Sequence, residues 1–380
     1  MTEAPSVQAG SAVARQARAR AIPLAGLVVL AAAVVLFPVV FTNPTITNFG
    51  VITLIFVAVA SAWNLFSGYS GYLSLGHAVF YGTGAYFLVV AAKDWKLTGS
   101  AVFWLLPLAG VVAAVIAVPL GLVALRVRRH TFVVITIAFF FIAQLSASNL
   151  GVTGGSSGLL PPVPLSWAPN TYNNPFYYLA ALIAAGTIVL SWLVRRSRFG
   201  LQLRAIRDDE DRAAGLGVRT MPVKLAALVL SAFITGMAGA LWVYFIGEAF
   251  PQFVFDPLFD LAVVLMAFCG GLGTIAGPVL GAVVLEPTQL WLNLQESNGY
   301  VSEILFGALF LVVILFLPRG VLPTAAEYVT SGRAWLQRRR TGQPAVTATL
   351  TAAADSDAGS ASGLASAPDS SSTPATGGAS

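Results

Sequence analysis

Few residues in this chain are equipped for covalent or metal chemistry. There are two histidines, His77 and His130, and a single cysteine, Cys269. The histidines lie more than a span apart, so the paired-histidine helix of a zinc protease is missing, as is any Cys/His cluster able to cage a metal. Ser74 precedes His77 by three residues, a spacing that a nucleophile and base can use. On a glycine-rich stretch that spacing carries little weight, and the rest of an acid/base constellation is absent. The only lysines are Lys93, Lys96 and Lys224, and none follows a glycine. A phosphate loop of the Walker type is therefore excluded, and ATP is not bound by that device. Cys269 cannot form an intrachain disulfide and reads as a packing residue. The sequence predicts no catalytic group, no metal and no cofactor.

The surrounding sequence explains why. Of 380 residues, 57% are hydrophobic and 10% charged, with a mean hydropathy of +0.80. A soluble domain does not have that composition. A bilayer span takes about 20 apolar residues. Spans are expected near 21–41, 49–67, 74–92, 101–125, 131–149, 176–194, 225–247, 257–271, 274–292 and 301–318. The fold class is all-α: a polytopic bundle of about ten spans, or eight and a re-entrant pair at 257–292. The Arg-bearing start of the first run looks superficially like a signal peptide, but its core is longer than such peptides carry and nine more runs follow. It is expected to remain as the first span.

Positive charge falls in alternate gaps between the runs. Arg15, Arg18 and Arg20 precede the first, Arg126, Arg128 and Arg129 follow the fourth, and a dense group from Arg195 to Lys224 follows the sixth. Arg319, Arg333 and Arg338 to Arg340 follow the last, and only Lys93 and Lys96 break the parity. Basic residues beside spans stay in the cytoplasm, which predicts that both termini and the 195–224 loop lie inside. The net charge of +5 does not point to nucleic acid, because the cations hug span ends. Residues 1–20 and 323–380 read as disordered cytoplasmic ends flanking a membrane domain over 21–322; the tail beyond 341 is mostly Ala, Ser, Thr, Gly and Pro. Glu248, Asp256, Asp260, Glu286, Glu296 and Glu303 are expected near external span ends. Span cores almost free of charge count against an ion-coupled carrier.

Three stretches carry more information than hydropathy. The loop RRSRFGLQLRAIRDDEDRAAGLGVRTMPVK has Phe199, Leu203 and Ile206 at helical spacing, continued by Ala213 and Ala214. Arg207 leads into the acidic block Asp208, Asp209, Glu210 and Asp211, and Gly217 is placed to end the helix in a left-handed conformation. Such a surface helix can seat an apolar knob in a groove of a soluble partner; a solvated connector fits the same residues. The second stretch, GYSGYLSLGHAVFYGTGAY, holds Gly68, Gly71, Gly76, Gly82 and Gly84 around Ser74 and His77. Broken backbone at membrane depth must be buried in protein or face a cavity, so this segment either lines a pathway or packs closely through small residues. His77 there reads chiefly as a structural hydrogen-bonding group. In the third, GGLGTIAGPVLG, Gly273, Gly277 and Gly281 recur every four residues, a flat strip suited to close packing. Pro278 implies that a helix begins near it or is kinked.

Taken in order, these stretches, together with LRVRRHTFVVITIAFFF and TGGSSGL, resemble the permease subunit of branched-chain amino acid ABC importers of the LivM type. The likeness runs from about Val51 to Leu322. It implies a transport subunit rather than an enzyme. It also implies a second, related permease subunit, two cytoplasmic ABC ATPase subunits and an extracytoplasmic solute-binding protein, in the bacterial inner membrane. By resemblance, residues 199–218 form the segment that docks on an ATPase. Urea or other short-chain amide importers have permeases with very similar blocks, so substrate is not legible here. The Arg129–His130–Thr131 turn departs from the Gly–Asp-like turn of many relatives, and nothing functional follows from that alone.

Overall fold

The computed structural model describes residues 34–41, 43–162, 167 and 171–295, with isolated positions at 32, 304, 307, 308 and 311. Among the described residues the chain is helical with no strand; one isolated antiparallel bridge joins Leu159 to Ala249. The helices are α1 (Pro44–Trp63), α2 (His77–Asp94), α3 (Leu105–Ala124), α4 (Arg129–Asn149), α5 (Asn173–Arg196), α6 (Arg198–Asp208), α7 (Glu210–Gly215), α8 (Thr220–Ile246), α9 (Pro251–Val254), α10 (Pro257–Gly270) and α11 (Ala276–Gln295). Among the described residues six segments are long and apolar enough to cross a membrane: Pro44–Gly68, Gly99–Ala124, Arg129–Asn149, Asn173–Arg196, Thr220–Ile246 and Pro251–Gly270. Residues 34–40 are helical, but most of the expected first span, the tenth and both terminal segments lie outside the described residues.

Helix starts follow local chemistry. Asn43 caps α1 by accepting from the Thr45 amide at 2.9 Å, and Asp256 caps α10 by accepting from Leu258 at 2.9 Å; each is followed by proline. Side-chain acceptors at these positions satisfy amides that have no intrahelical partner, and proline there loses no hydrogen bond. α11 begins at Ala276, which puts Pro278 in its first turn, as the sequence implied.

Small residues set how the helices cross. The 27-residue α8 packs between α2 and α3. A Cβ on Gly84 would lie 2.0 Å from the Gly236 carbonyl oxygen, and one on Gly281 would lie 1.8 Å from that of Met266. Neither is compatible with any side chain, so the α2–α8 and α10–α11 crossings require glycine at those points. Around this interior, α4 and α5 turn Val134, Phe141, Leu145, Leu182 and Val189 outward. An apolar periphery of this kind needs lipid rather than water.

Candidate functional site

The three informative stretches meet at one end of the bundle. α1 does not end cleanly: its last turn, Asn64–Gly68, is a π-turn, a local widening that recurs at functional sites. Asn64 donates from Nδ2 to the Thr274 carbonyl at 2.8 Å and accepts from the Gly273 amide at 2.8 Å. One buried amide thus holds the Gly271–Thr274 turn between α10 and α11 against α1. Gly273 has a φ of 75°, and a Cβ there would fall 2.3 Å from Arg207 Nη1. Arg207 itself, on α6, donates from Nη1 to the Gly68 carbonyl at 2.7 Å. The loop, the broken end of α1 and the glycine turn therefore share one contact.

The loop is two helices, not the one expected. The chain breaks at Asp209, whose extended backbone (φ −158°, ψ 111°) ends α6 and whose side chain accepts from the Arg212 amide at 3.0 Å to start α7. Asp209 is a cap, and Glu210 and Asp211 occupy the α7 first turn, where the helix dipole favours negative charge. Within the acidic block lies a helix-start signal. α7 stops as predicted. Gly217 adopts φ 87°, its amide donates to Ala214 and the Val218 amide donates to Ala213, the paired bonds of a left-handed stop.

Phe199, Leu203 and Ile206 do share a face, but that face turns inward. Leu203 and Ile206 are fully buried within this chain, and Ala213 is nearly so, against Leu65, Phe66, Tyr72 and Phe132. They cannot be the knob offered to a partner; they anchor the loop to the bundle. The exposed apolar groups are Leu201, half a turn out of phase, and Leu216, which is 86% exposed. Phe199 is partly buried, Ala214 is exposed, and Asp208 is exposed beside the Arg129 side of the loop.

Charges lock the loop in place. Arg129 Nη2 donates to the Ile206 and Arg207 carbonyls at 2.5 and 2.7 Å, placing a cation on the unsatisfied C-terminal end of α6. Lys224, only 3% exposed, donates to Glu210 Oε1 at 2.6 Å and to the Tyr72 hydroxyl at 3.0 Å; Tyr72 in turn donates to Glu210 Oε2 at 2.5 Å. The three groups form a closed triangle between α7, α8 and the loop after α1. Burial alone would raise the Glu210 carboxyl, but hydrogen bonds from Lys224 and Tyr72 and the nearby ammonium hold it below its ordinary value. The Tyr72 hydroxyl is pushed up, by burial first and then by donating to Glu210.

His77 is structural. Ser231 gives its one proton to the Ala62 carbonyl at 2.7 Å, so it accepts from His77 Nε2 at 2.8 Å. The proton therefore sits on Nε2, and Nδ1 accepts from Ser74 at 3.0 Å. Both ring nitrogens are used, and ring and serine are sealed from solvent. Gly76 and Gly82 face the Thr136 carbonyl and the Phe255 ring at distances that leave no room for a Cβ. Gly71 lies against Arg207 and Arg129, and Gly277 against the Gly271 carbonyl. The glycines of the second and third stretches are thus positions of close approach. Among the described residues no cluster of His, Cys, Asp or Glu could hold a metal.

Two carboxylates expected at external ends are inside the bundle. Asp260 is 3% exposed and accepts from the Ala78 amide at 3.2 Å, which puts negative charge on the N-terminus of α2. Glu286, midway along α11, is 4% exposed. No periodicity in one sequence distinguishes either from a span-end charge; what marks them is the helix packed opposite.

A helical bundle with an apolar rim and six segments able to cross a membrane defines a multi-pass membrane protein. The family described as branched-chain amino acid transport system / permease component matches residues 45–314, and the chain belongs to that family. The high-affinity branched-chain amino acid transport system permease protein LivM of Escherichia coli K12 is 29% identical over 334 residues, 79% of this chain and 74% of that protein. LivM of Salmonella typhimurium is 30% identical, covering 71% and 68%. LivH of Salmonella typhimurium, named as another permease protein of that transport system, is 26% identical over 70% of this chain and 91% of its own length. No solved structure matches the chain.

Proposed function

We propose that this chain is one of two related permease subunits of an ATP-driven importer for leucine, isoleucine and valine in the bacterial plasma membrane. An extracytoplasmic binding protein delivers the solute, and two cytoplasmic ATPases supply the energy. In this reading the membrane domain makes ten crossings, or eight and a re-entrant pair at 257–292, with spans expected from hydropathy near 21–41 and 301–318 and both termini inside. The alternating Lys and Arg support that orientation, with residues 195–224 in the cytoplasm.

The observation that carries the coupling role is the Arg207 contact. Its guanidinium joins α6 to the Gly68 carbonyl and sits against Gly273. A push on the loop is therefore delivered to α1 and the α10–α11 turn at once. Leu203 and Ile206 make the loop move as part of the bundle, while Leu216, the more exposed of the loop's two outward leucines, is offered to an ATPase groove. Phe199, Asp208, Asp209, Glu210, Ala213, Ala214 and Gly217 shape and anchor that surface. The chain performs no covalent step.

The test is ATP-driven leucine uptake by the complete importer in proteoliposomes. Arg207→Ala should cut uptake at least tenfold while the subunits still assemble, and Leu216→Asp should cut uptake and weaken ATPase retention together. Full uptake by Arg207→Ala would overturn the coupling role. Uptake by this chain alone without ATP would make it a secondary carrier. Labelling of a cysteine at position 216 from the outside would overturn the orientation.

A further inference from the structure

A cleft of about 610 Å³ opens among α1, α2, α8, α10 and α11. That size is in the range of small-molecule sites. Its polar lining is a stripe of α11, Glu286, Gln289 and Asn293 at i, i+3 and i+7 on one helix face, together with Asp256, the capping residue of α10. Its opposite wall is aromatic. Tyr81 lies 4.4 Å from Phe259 and 5.8 Å from Trp242 between ring centroids, and all three line the cleft. Glu286 is more than nine-tenths buried, and its Oε2 has no hydrogen-bond partner. A buried carboxylate without a partner is among the costliest groups a protein can retain, and inside a membrane bundle more so. Among the described residues Lys224 is answered by Glu210 and Tyr72, and Asp260, which does not line this cleft, is answered on Oδ1 by the Ala78 amide although its Oδ2 also lacks a partner.

We infer that Glu286 is the ammonium-binding group of a solute subsite for α-amino acids within this subunit. The inference rests on the importer reading above and adds a site to it. An ammonium placed at Oε2 supplies the missing charge and up to three hydrogen-bond donors. The faces of Tyr81 and Trp242 attract the same cation through their ring quadrupoles. Phe259 and Phe56 offer the apolar surface that a branched side chain buries, and the Gln289 and Asn293 amides, further along the same face, can donate to a carboxylate. Urea carries neither an ammonium nor an apolar side chain, so the lining favours an amino acid.

The test measures tritiated leucine binding to the complete importer in nanodiscs by scintillation proximity, with competitors. Leucinamide keeps the ammonium and isocaproate lacks it. On the unaltered complex leucinamide should compete at least tenfold better than isocaproate. In Glu286→Gln, leucine affinity should fall at least tenfold and the two competitors should become equal. Equal competition on the unaltered complex overturns the subsite without recourse to a variant, as does an assembled Glu286→Gln complex that binds and discriminates like the original. These outcomes leave the importer reading standing when leucine uptake persists. A complex that takes up no branched-chain amino acid overturns both.

Discussion

Two carboxylates, the half-buried Glu210 and the buried Glu286, stand in opposite electrostatic situations. Glu210 is bonded on both oxygens, by Lys224 and by Tyr72, and each of those donors is itself held by neighbouring helices. Glu286 is more deeply buried yet has an oxygen with no partner. A folding argument accounts for the first: a closed triangle of donors and acceptors joins a surface loop to the bundle. It does not account for the second, because a carboxylate without a partner lowers stability. The difference separates a charge kept for architecture from one kept for something that comes and goes.

Substitutions at the triangle sharpen that contrast most. Glu210→Gln leaves the ammonium of Lys224, 3% exposed, facing a neutral amide. Breaking a buried pair from one side costs about 3 kcal/mol or more. The expected result is a large fall in thermal unfolding temperature in detergent, with the 199–218 loop losing protection from hydrogen exchange. Lys224→Met should cost less, about 1.5 kcal/mol, because the Glu210 side chain is 27% exposed and water can replace the lost donor. The double variant should recover part of the loss, since neither charge is then stranded. Strictly additive losses would show that the two side chains are not a coupled pair.

The same logic gives a null effect at the other site. Glu286→Gln removes no hydrogen bond at Oε2 and no ion pair, so its unfolding free energy should match the original to within about 0.5 kcal/mol, or exceed it. A loss comparable to that of Glu210→Gln would mean that Glu286 is structural, and the contrast would collapse.

How much of this was visible beforehand depends on whether a signal is local. Helix positions were: eight of the expected runs coincide with α1 to α5, α8, α10 and α11 to within a few residues, and six of those segments are long and apolar enough to cross a membrane. The left-handed stop at Gly217 was too, since it depends on the residues around it. The inward turn of Leu203 and Ile206 was not. Periodicity says which residues share a face, but what the face meets is set by residues far away in sequence, Leu65, Phe66, Tyr72 and Phe132. The break at Asp209 was missed because an acidic residue after an arginine helix reads equally as surface charge or as a cap. Asn64 was invisible for a plainer reason: its bond to Gly273 spans 209 residues. Arg129 had been noticed as unusual, and its role became clear only once the α6 carbonyls lay beside it.

The smallest expected effect is a pH dependence, and its sign follows from Glu210. Burial opposes ionisation of this carboxyl, yet the hydrogen bonds from Lys224 and Tyr72 outweigh it and leave the folded-state pKa below the ordinary carboxylate value of 4.5. The unfolded chain then binds this proton at a higher pH than the folded chain does. The stabilisation is fully present above the unfolded value and drains away as the pH falls through the lowered folded one. Between neutral pH and 4.5 it should be flat, and below that the unfolding temperature should drop. In Glu210→Gln the group is gone, so the acid-side slope should be shallower than in the original chain by that one proton. An identical slope in both would mean that the Glu210 carboxylate is not held by its neighbours, and that the clamp on the loop rests on Arg129 and Arg207 alone.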